Sequence, residues 1–342
     1  MLRIDGSKGE GGGQILRSSL ALAAVTGRPV RVDNVRAGRS KPGLMRQHLT
    51  ALRAVAEVCG GAVIGDQIGS RSVELSPGPI KAGQYTFRIG TAGSTALVLQ
   101  AVLPALLMAD APSRVTLEGG THNPFAPPHH FLCDAFLPLL ARMGAKVEAV
   151  LERPGFFPAG GGRMVVDIHP ADEGRLAPIE IMERGAVSRR RAVAMVSNLP
   201  KSIAERELKV VRRKLGWTED ECEVIEWQDG PGPGNILSLT VESEGCVEVC
   251  TGFGERDRPA EAVASHAVQQ MQRYLRSGAP VGEYLADQLL LPLAIAGQGQ
   301  FHAQCLSRHT ATHIELLKQF YDLKIETQQL GRDGAIIRLG RA

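Results

Sequence analysis

Two hydrophobic periods alternate along this chain of 342 residues. Segments in which apolar residues recur every three or four positions predict amphipathic helices, and shorter segments that alternate apolar and polar residues predict strands. One order of elements, helix–strand–helix–strand–strand, occurs three times, and a glycine-containing turn precedes the first helix of each copy. Because each amphipathic element must bury one face, the three copies should pack into one large α/β (α+β) domain.

The copies begin at three glycine turns, residues 11–13, 90–94 and 282–284. Equivalent loops should then recur at equivalent corners of the fold. The predicted helices are, in order, 11–26 (with its turn) and 44–59, then 95–108 and 130–143, then 285–296 and 311–321.

The segment between the second and third copies has a different pattern. It predicts strands at 191–197, 236–242 and 246–252 and helices at 204–215 and 260–277. This is enough for a small αβ domain inserted before the third unit. We therefore predict a large catalytic domain of residues 1–182 and 279–342 and an inserted domain of residues 183–278.

Composition narrows the class of protein. The chain is 44% hydrophobic and 22% charged, as is typical of globular proteins, and its net charge of +3 excludes a histone-like polycation. Aromatic residues make up only 4%, which disfavours folds that bind single-stranded nucleic acid through aromatic platforms. The six cysteines lack a Cys-x-x-Cys pair, so a zinc site is not expected. Without a signal peptide or a long apolar run, we expect a cytoplasmic protein with reduced thiols and no membrane partner.

Three successive glycines, Gly11–Gly13, lead directly into the first apolar helix. Glycine lets backbone N–H groups approach a ligand closely, and the N-terminus of a helix favours an anion. The spacing matches neither a Walker loop nor a dinucleotide fingerprint. The residues allow a phosphate or carboxylate site of a rarer kind, or a tight strand-to-helix turn.

Basic residues follow this turn and predict a phosphate clamp made of Arg17, Arg36, Arg39 and Lys41. Guanidinium groups bind phosphate oxygens in pairs and stay charged. A carboxylate beside a phosphate site, here Glu10, implies a divalent cation, because it would otherwise repel the substrate. The alternative is a solvated charged loop.

His309 is the strongest candidate nucleophile. It follows Arg308 in a predicted loop after a strand, and a neutral imidazole nitrogen can attack phosphorus to form a reactive phosphoramidate. Helix capping or surface packing would also account for a histidine here. His313 lies four residues on, but no third metal ligand is visible beside the pair.

Taken together, these motifs resemble those of the RNA 3′-terminal phosphate cyclases over nearly the whole chain. The matching segments occur in the family's order and are residues 9–17 (GEGGGQILR), 36–44 (RAGRSKPGL), 47–49 (QHL), 93–94 (GS), 119–121 (GGT), 158–162 (PAGGG) and 281–288 (VGEYLADQ). The segment 310–313 and His122 depart from the family's pattern.

The resemblance implies three like units with a small domain inserted before the third. It also implies ATP-dependent conversion of an RNA 3′-phosphate to a 2′,3′-cyclic phosphate, in which His309 attacks the α-phosphate of ATP and AMP then passes to the RNA end. By position, Glu10 matches a carboxylate near a Mg or Mn ion. The matches to ATP-contacting positions are Gln100, Tyr284, Leu285, Ala286, Asp287 and Gln288. The matches to positions at the phosphates or the RNA end are Arg17, Arg36, Arg39 and Gln47.

Two other functions compete with this interpretation. Non-catalytic relatives that bind during ribosomal RNA processing lack the nucleophile, whereas His309 is present here. Enolpyruvyl transferases are built from similar repeated units around a cationic cleft, but their chemistry needs no histidine of this kind. The segment Tyr284–Gln288 also points away from them.

Overall fold

The computed structural model describes residues 1–171, 174–331 and 334–341. It contains four mixed sheets among these residues, with helices between their strands, and it confirms the predicted mixed α/β class. No helix in the described ranges is both long and apolar enough to cross a bilayer.

The first sheet has the order β1-β2-β4-β3. Its first two strands run parallel because a helix connects them, and its last two form an antiparallel pair. In chain order these elements are β1 (Leu2–Asp5), α1 (Gly13–Thr26), β2 (Val30–Asp33), α2 (Arg46–Val58), β3 (Ala62–Ile64) and β4 (Val73–Ser76).

The second sheet repeats this connectivity, with the order β5-β6-β8-β7. The helix predicted at 130–143 is interrupted, because a π-helical turn at Leu132–Phe136 separates two short α-helical pieces. In chain order the elements are β5 (Gln84–Arg88), α3 (Thr95–Leu106), β6 (Ser113–Gly119), α4 (His129–Phe131), α5 (Leu137–Arg142), β7 (Lys146–Arg153) and β8 (Gly162–His169).

The remaining two sheets share the rest of the described chain. One has the order β15-β16-β14-β9 and the other the order β11-β10-β12-β13. In chain order the elements are β9 (Glu180–Ile181), β10 (Val187–Ser197), α6 (Lys201–Leu215), β11 (Cys222–Trp227), β12 (Gly234–Ser243), β13 (Val247–Phe253), α7 (Ala260–Ser277), α8 (Glu283–Ala296), β14 (Gly299–Ala303), α9 (Arg308–Phe320), β15 (Leu323–Gln329) and β16 (Ala335–Arg341).

The structure corrects the predicted repeat in one respect. The three related sheets each begin with a strand that the predicted unit lacks, namely β1, β5 and β9. These strands lie at sheet edges and have two to five residues, too few to give a clear alternation. Because β9 precedes residues 183–278, that segment lies between the first strand and the first helix of the third unit, not before the unit.

Two large apolar cores underlie this arrangement. One joins residues of all three related units, and the other lies between the β10–β13 sheet and its helices α6 and α7. A separate core is what an inserted domain requires. The boundaries at 182/183 and 278/279 remain a prediction that this core supports.

Helix packing brings distant parts of the chain together. α1 packs against α3 of the second unit and α9 of the third, and α8 packs against α9. The first turns of α1, α8 and α9 therefore meet, and the candidate site is built there.

Candidate active site

His309 is the second residue of α9, so the prediction of a loop at Arg308 and His309 is wrong. The helix begins early because Ser307 caps it: its side-chain oxygen accepts a hydrogen bond from the N–H of Thr310. The His309 side chain remains 45% exposed. The imidazole is thus held on a rigid element and is still accessible to a substrate.

Gln14, in the first turn of α1, orients this imidazole. Its amide nitrogen lies 2.6 Å from Oδ1 of Asp287, and its Oε1 lies 3.1 Å from Nδ1 of His309. Because the amide nitrogen must donate to the carboxylate, Oε1 is left as an acceptor, and Nδ1 of His309 must carry the proton. In the neutral ring the lone pair is then on Nε2.

Asp287, in the first turn of α8, links three helices. Besides the bond from Gln14, it accepts hydrogen bonds from Nδ1 of His313 at 3.1 Å and from Nε2 of Gln288 at 3.3 Å. Burial opposes ionisation of Asp287, but the hydrogen bond from His313 and the charges of the nearby basic groups hold its pKa below the usual value. Asp287 is therefore ionised and, through Gln14, helps to hold His309 in position.

Arg17 provides a buried cation in the same region. Its Nε is buried without a hydrogen-bond partner. Burial lowers its pKa to about 10, against the opposing effect of Asp287, so the guanidinium remains charged at neutral pH. Burial, reinforced by neighbouring arginines, lowers the pKa of His48 to about 3, which keeps that ring neutral. The positive charge here comes from arginine.

Gly13 must lack a side chain for this packing. A Cβ at Gly13 would lie 2.6 Å from Nε2 of His48 and 2.8 Å from Nη1 of Arg17. Both distances are below any normal contact to carbon. The glycine turn therefore lets Arg17 and His48 approach the start of α1.

The other predicted phosphate-binding residues lie outside the main cleft. Arg36 donates from Nη1 to the carbonyl oxygens of Lys41 and Gly43, at 2.7 and 2.8 Å, and so holds its own loop. The side-chain oxygen of Gln47 accepts a hydrogen bond from the N–H of Ser94 at 2.7 Å. Arg39 is linked to His309 through the carboxylate of Glu10, described next.

Glu10 lies between His309 and Arg39. Its Oε2 is 3.0 Å from Nε2 of His309 and 3.6 Å from Nη2 of Arg39. Across the described ranges, no group of three or more His, Cys, Asp or Glu side chains is placed to hold a metal ion. Mg²⁺ commonly binds through one carboxylate, with phosphate oxygens and water as its other ligands. Glu10 fits such a substrate-bound cation and not a closed protein cage.

A cleft of about 410 Å³ opens in front of His309. One side is formed by the three-unit body and the other by β13, α7 and the loop between them. Gln100 donates a hydrogen bond to Gln288 across this space. Leu285 and Ala286 are fully buried, and their side chains pack in the core. The predicted site residues that line the cleft are Arg17, Gln100, Tyr284, Asp287, Gln288 and His309.

Sequence reasoning assigned no role to several residues of the cleft. Gln14 stood inside the glycine motif, and only its contacts reveal what it does. The lining residues of the inserted segment lie too far away along the chain to be linked to His309 by pattern. Those residues include Val249, Thr251, Phe253, Glu255, Arg258, His266 and Gln270.

Two further groups of side chains make local contacts. Arg190 and Arg191 of the inserted segment pair with Glu221 at 2.8 Å and Glu223 at 2.6 Å. His122, which departs from the family's pattern, is buried, and its ring lies 5.1 Å from that of Phe156.

Comparison with known proteins places this chain among relatives of one family. The family model described as RNA 3′-terminal phosphate cyclase matches residues 8–327. A protein of that name from Ralstonia nicotianae is 49% identical over 338 residues, covering 99% of this chain and 96% of the relative. Another, from Pseudomonas fluorescens, is 47% identical over 330 residues, covering 96% and 95%. A third, from Salmonella typhimurium, is 45% identical over 339 residues, covering 99% and 98%.

Proposed function

Because this chain belongs to the RNA 3′-terminal phosphate cyclase family, we propose that it uses ATP to convert an RNA 3′-phosphate into a 2′,3′-cyclic phosphate. One observation supports a covalent route best: Gln14 fixes a proton on Nδ1 of the half-exposed His309, so that Nε2 is the nitrogen that can attack once the Glu10 carboxylate, 3.0 Å away, turns aside. This arrangement is what a nucleophilic imidazole needs.

In the first step, Nε2 of His309 attacks the α-phosphorus of ATP. A nitrogen–phosphorus bond forms, the bond from the α-phosphorus to the bridging oxygen breaks, and pyrophosphate leaves. Nδ1 keeps its proton and its hydrogen bond to Gln14. The resulting phosphorylated imidazolium is a good leaving group because its departure restores a neutral ring.

In the next steps, an oxygen of the RNA 3′-phosphate attacks the same phosphorus and releases His309. The RNA end then carries a phosphoanhydride to AMP, RNA(3′)pp(5′)A. The neighbouring 2′-hydroxyl attacks the 3′-phosphorus, the cyclic ester forms, and AMP leaves. Adenylation is needed because the oxygen of a phosphate monoester is a poor leaving group.

The cleft suggests how ATP lies. Tyr284 is 57% exposed on the first turn of α8, so its ring can stack with adenine. Gln100 and Gln288 lie in the same cleft and offer amide groups to the nucleoside, while the buried charge of Arg17 faces the phosphates. Leu285 and Ala286 hold the first turn of α8 in the core.

Glu10 is the proposed ligand of a divalent cation, Mg²⁺ or Mn²⁺. When bound, such an ion neutralises the charge of the phosphate oxygens. In the present arrangement, Oε2 of Glu10 faces Nε2 of His309, where the α-phosphorus must arrive. A Glu10 carboxylate that turns toward the phosphates would open this position. In this proposal Arg39, 3.6 Å from Glu10, binds the RNA 3′-phosphate, and Arg36 and Gln47 support the surrounding loops.

The test is incubation with ATP labelled at the α-phosphate, without RNA. We expect acid-labile label on the wild-type protein and none on His309→Ala, since only an imidazole nitrogen carries the label in this scheme. His302→Ala is the matched control, because His302 lies on the neighbouring strand β14 outside the cleft. Persistent labelling of His309→Ala would refute the assigned nucleophile, and an unlabelled wild type would refute the covalent route.

A further inference from the structure

Phe125 lies in a turn between β6 and α4, and the residue is 101% exposed. The same side chain lines the cleft that contains His309 and Tyr284. A phenylalanine ring in water gives up the burial that normally stabilises it. In a chain with few aromatic residues, this exposed ring lines the cleft and belongs to none of the apolar clusters of the described residues.

The loop holds this ring in place. Phe125 has φ of +63°, a left-handed conformation that is rare for a residue other than glycine. On its N-terminal side, the amide nitrogen of Asn123 donates to the carbonyl oxygen of Ala92 at 2.7 Å. On its C-terminal side, Pro127 and Pro128 restrict the backbone. The ring is therefore presented by an anchored turn.

The proposed reaction needs two base-binding surfaces at once. In RNA(3′)pp(5′)A, a diphosphate joins the terminal nucleoside of the RNA to adenosine, so both bases lie near His309 at the same time. Among the described residues that line the cleft, the aromatic ones are Phe125, Phe131, Phe253 and Tyr284. Phe131 is buried, and Phe253 packs against a small apolar cluster. Phe125 and Tyr284 are left with exposed rings.

The positions of these two rings indicate which base each would bind. Tyr284 lies on α8 beside Asp287 and Gln288, at the site of ATP attachment. Phe125 is more exposed, 101% against 57%, and it projects from a loop into solvent, from which an RNA chain arrives. On the basis of the proposed function, we infer that Phe125 stacks on the 3′-terminal base of the RNA substrate. Every base has a π face, so this contact tolerates any terminal base.

The experiment removes the ring of Phe125 and the terminal base of the RNA, each alone and both together. Wild type, Phe125→Ala and Phe125→Trp are compared on an RNA oligonucleotide with a 3′-phosphate and on the same RNA with an abasic terminal ribose. We expect Phe125→Ala to lower kcat/KM for the intact RNA by about 5- to 150-fold, as base–aromatic stacking elsewhere implies. The two proteins should use the abasic RNA equally, and Phe125→Trp should restore use of the intact RNA.

The outcomes separate this inference from the proposed function. A loss that is equal on intact and abasic RNA, or no loss at all, would overturn the stacking role. A loss of self-labelling by ATP in Phe125→Ala would assign the ring to adenine instead, and so also overturn it. Phe157→Ala is the control, since Phe157 is 72% exposed but lies outside the residues that line the cleft. A wild type that neither self-labels nor cyclises RNA would contradict the proposed function itself.

Discussion

At the scale of single residues, the site depends on the proton of one imidazole. Gln14 joins Asp287 to Nδ1 of His309, and its amide can accept from that nitrogen only because its NH₂ group faces a carboxylate. The chain thus defines which nitrogen of His309 can attack phosphorus. Gln14 does so as a positioning residue, through His309.

Replacing Gln14 with alanine should therefore slow self-labelling by ATP about tenfold, the value of one hydrogen bond of about 1.4 kcal/mol. Nitrogen NMR of His309 should also show a weaker preference for the Nδ1–H tautomer, which a general loss of stability would not cause. Gln319→Ala is the control, because Gln319 lies on the same helix as His309 and donates to the carbonyl oxygen of Glu315 in that helix. An unchanged tautomer in Gln14→Ala would contradict this role.

Glu10 gives a second prediction at this scale. If it holds the cation, Glu10→Ala should slow self-labelling more at low than at saturating Mg²⁺ or Mn²⁺, because the ion must then bind through phosphate and water alone. Rates are measured across a metal titration, with Glu315→Ala, an exposed change on the same helix as His309, as control. Equal slowing at every metal concentration would mean that Glu10 acts on His309 and not on a cation.

At the scale of elements, β13 of the inserted segment is tied to the start of α8. Oε2 of the buried Glu248 accepts the N–H of Gly282 at 2.8 Å. A Cβ on Gly282 would lie 2.4 Å from this carboxyl group, so glycine is required at this contact. The bond fixes the helix that carries Tyr284 and Asp287 relative to the far wall of the cleft.

This contact should make stability depend on pH. Burial raises the pKa of Glu248 to about 8, although hydrogen bonds from Gly282 and Val249 oppose the shift. The folded state then holds a proton that the unfolded chain releases near pH 4.5, so the wild type should lose stability as pH rises from about 4.5 toward 8. Glu248→Gln cannot titrate and should keep its stability over this range, a difference from the wild type on the order of 3 to 4 kcal/mol between pH 5 and 8.

The measurement is urea unfolding of wild type and Glu248→Gln at both pH values. The two proteins must be compared with each other, because burial also raises the pKa of Glu207, to about 7. Glu207 therefore adds the same loss of stability with rising pH to both proteins. Glu219→Gln, with a side chain 91% exposed, serves as control. If the free energy of unfolding changed equally with pH in wild type and Glu248→Gln, Glu248 would be ionised in the folded protein.

At the scale of the whole molecule, three related sheets share one core, and the inserted segment closes a cleft over it. The periodic pattern predicted most helices well: the segment predicted at 260–277 is α7, Ala260–Ser277. It failed where elements are short or interrupted, as at β9 and at the π-helical turn Leu132–Phe136. A strand of two residues is too short to produce a period, and a helical period does not reveal a local change in the backbone hydrogen bonds.

The sequence by itself determined the family, the mixed α/β class, the glycine turn before α1 and the candidacy of His309, because each of these depends on residues close together in the chain. The tertiary structure alone decided that Gln14, Asp287 and His309 form one network, that Leu285 and Ala286 pack inward, and that the inserted segment supplies a wall of the cleft. Hydrogen bonds between residues nearly 300 positions apart leave no local pattern. They exist because helix packing brings the first turns of α1, α8 and α9 to one point.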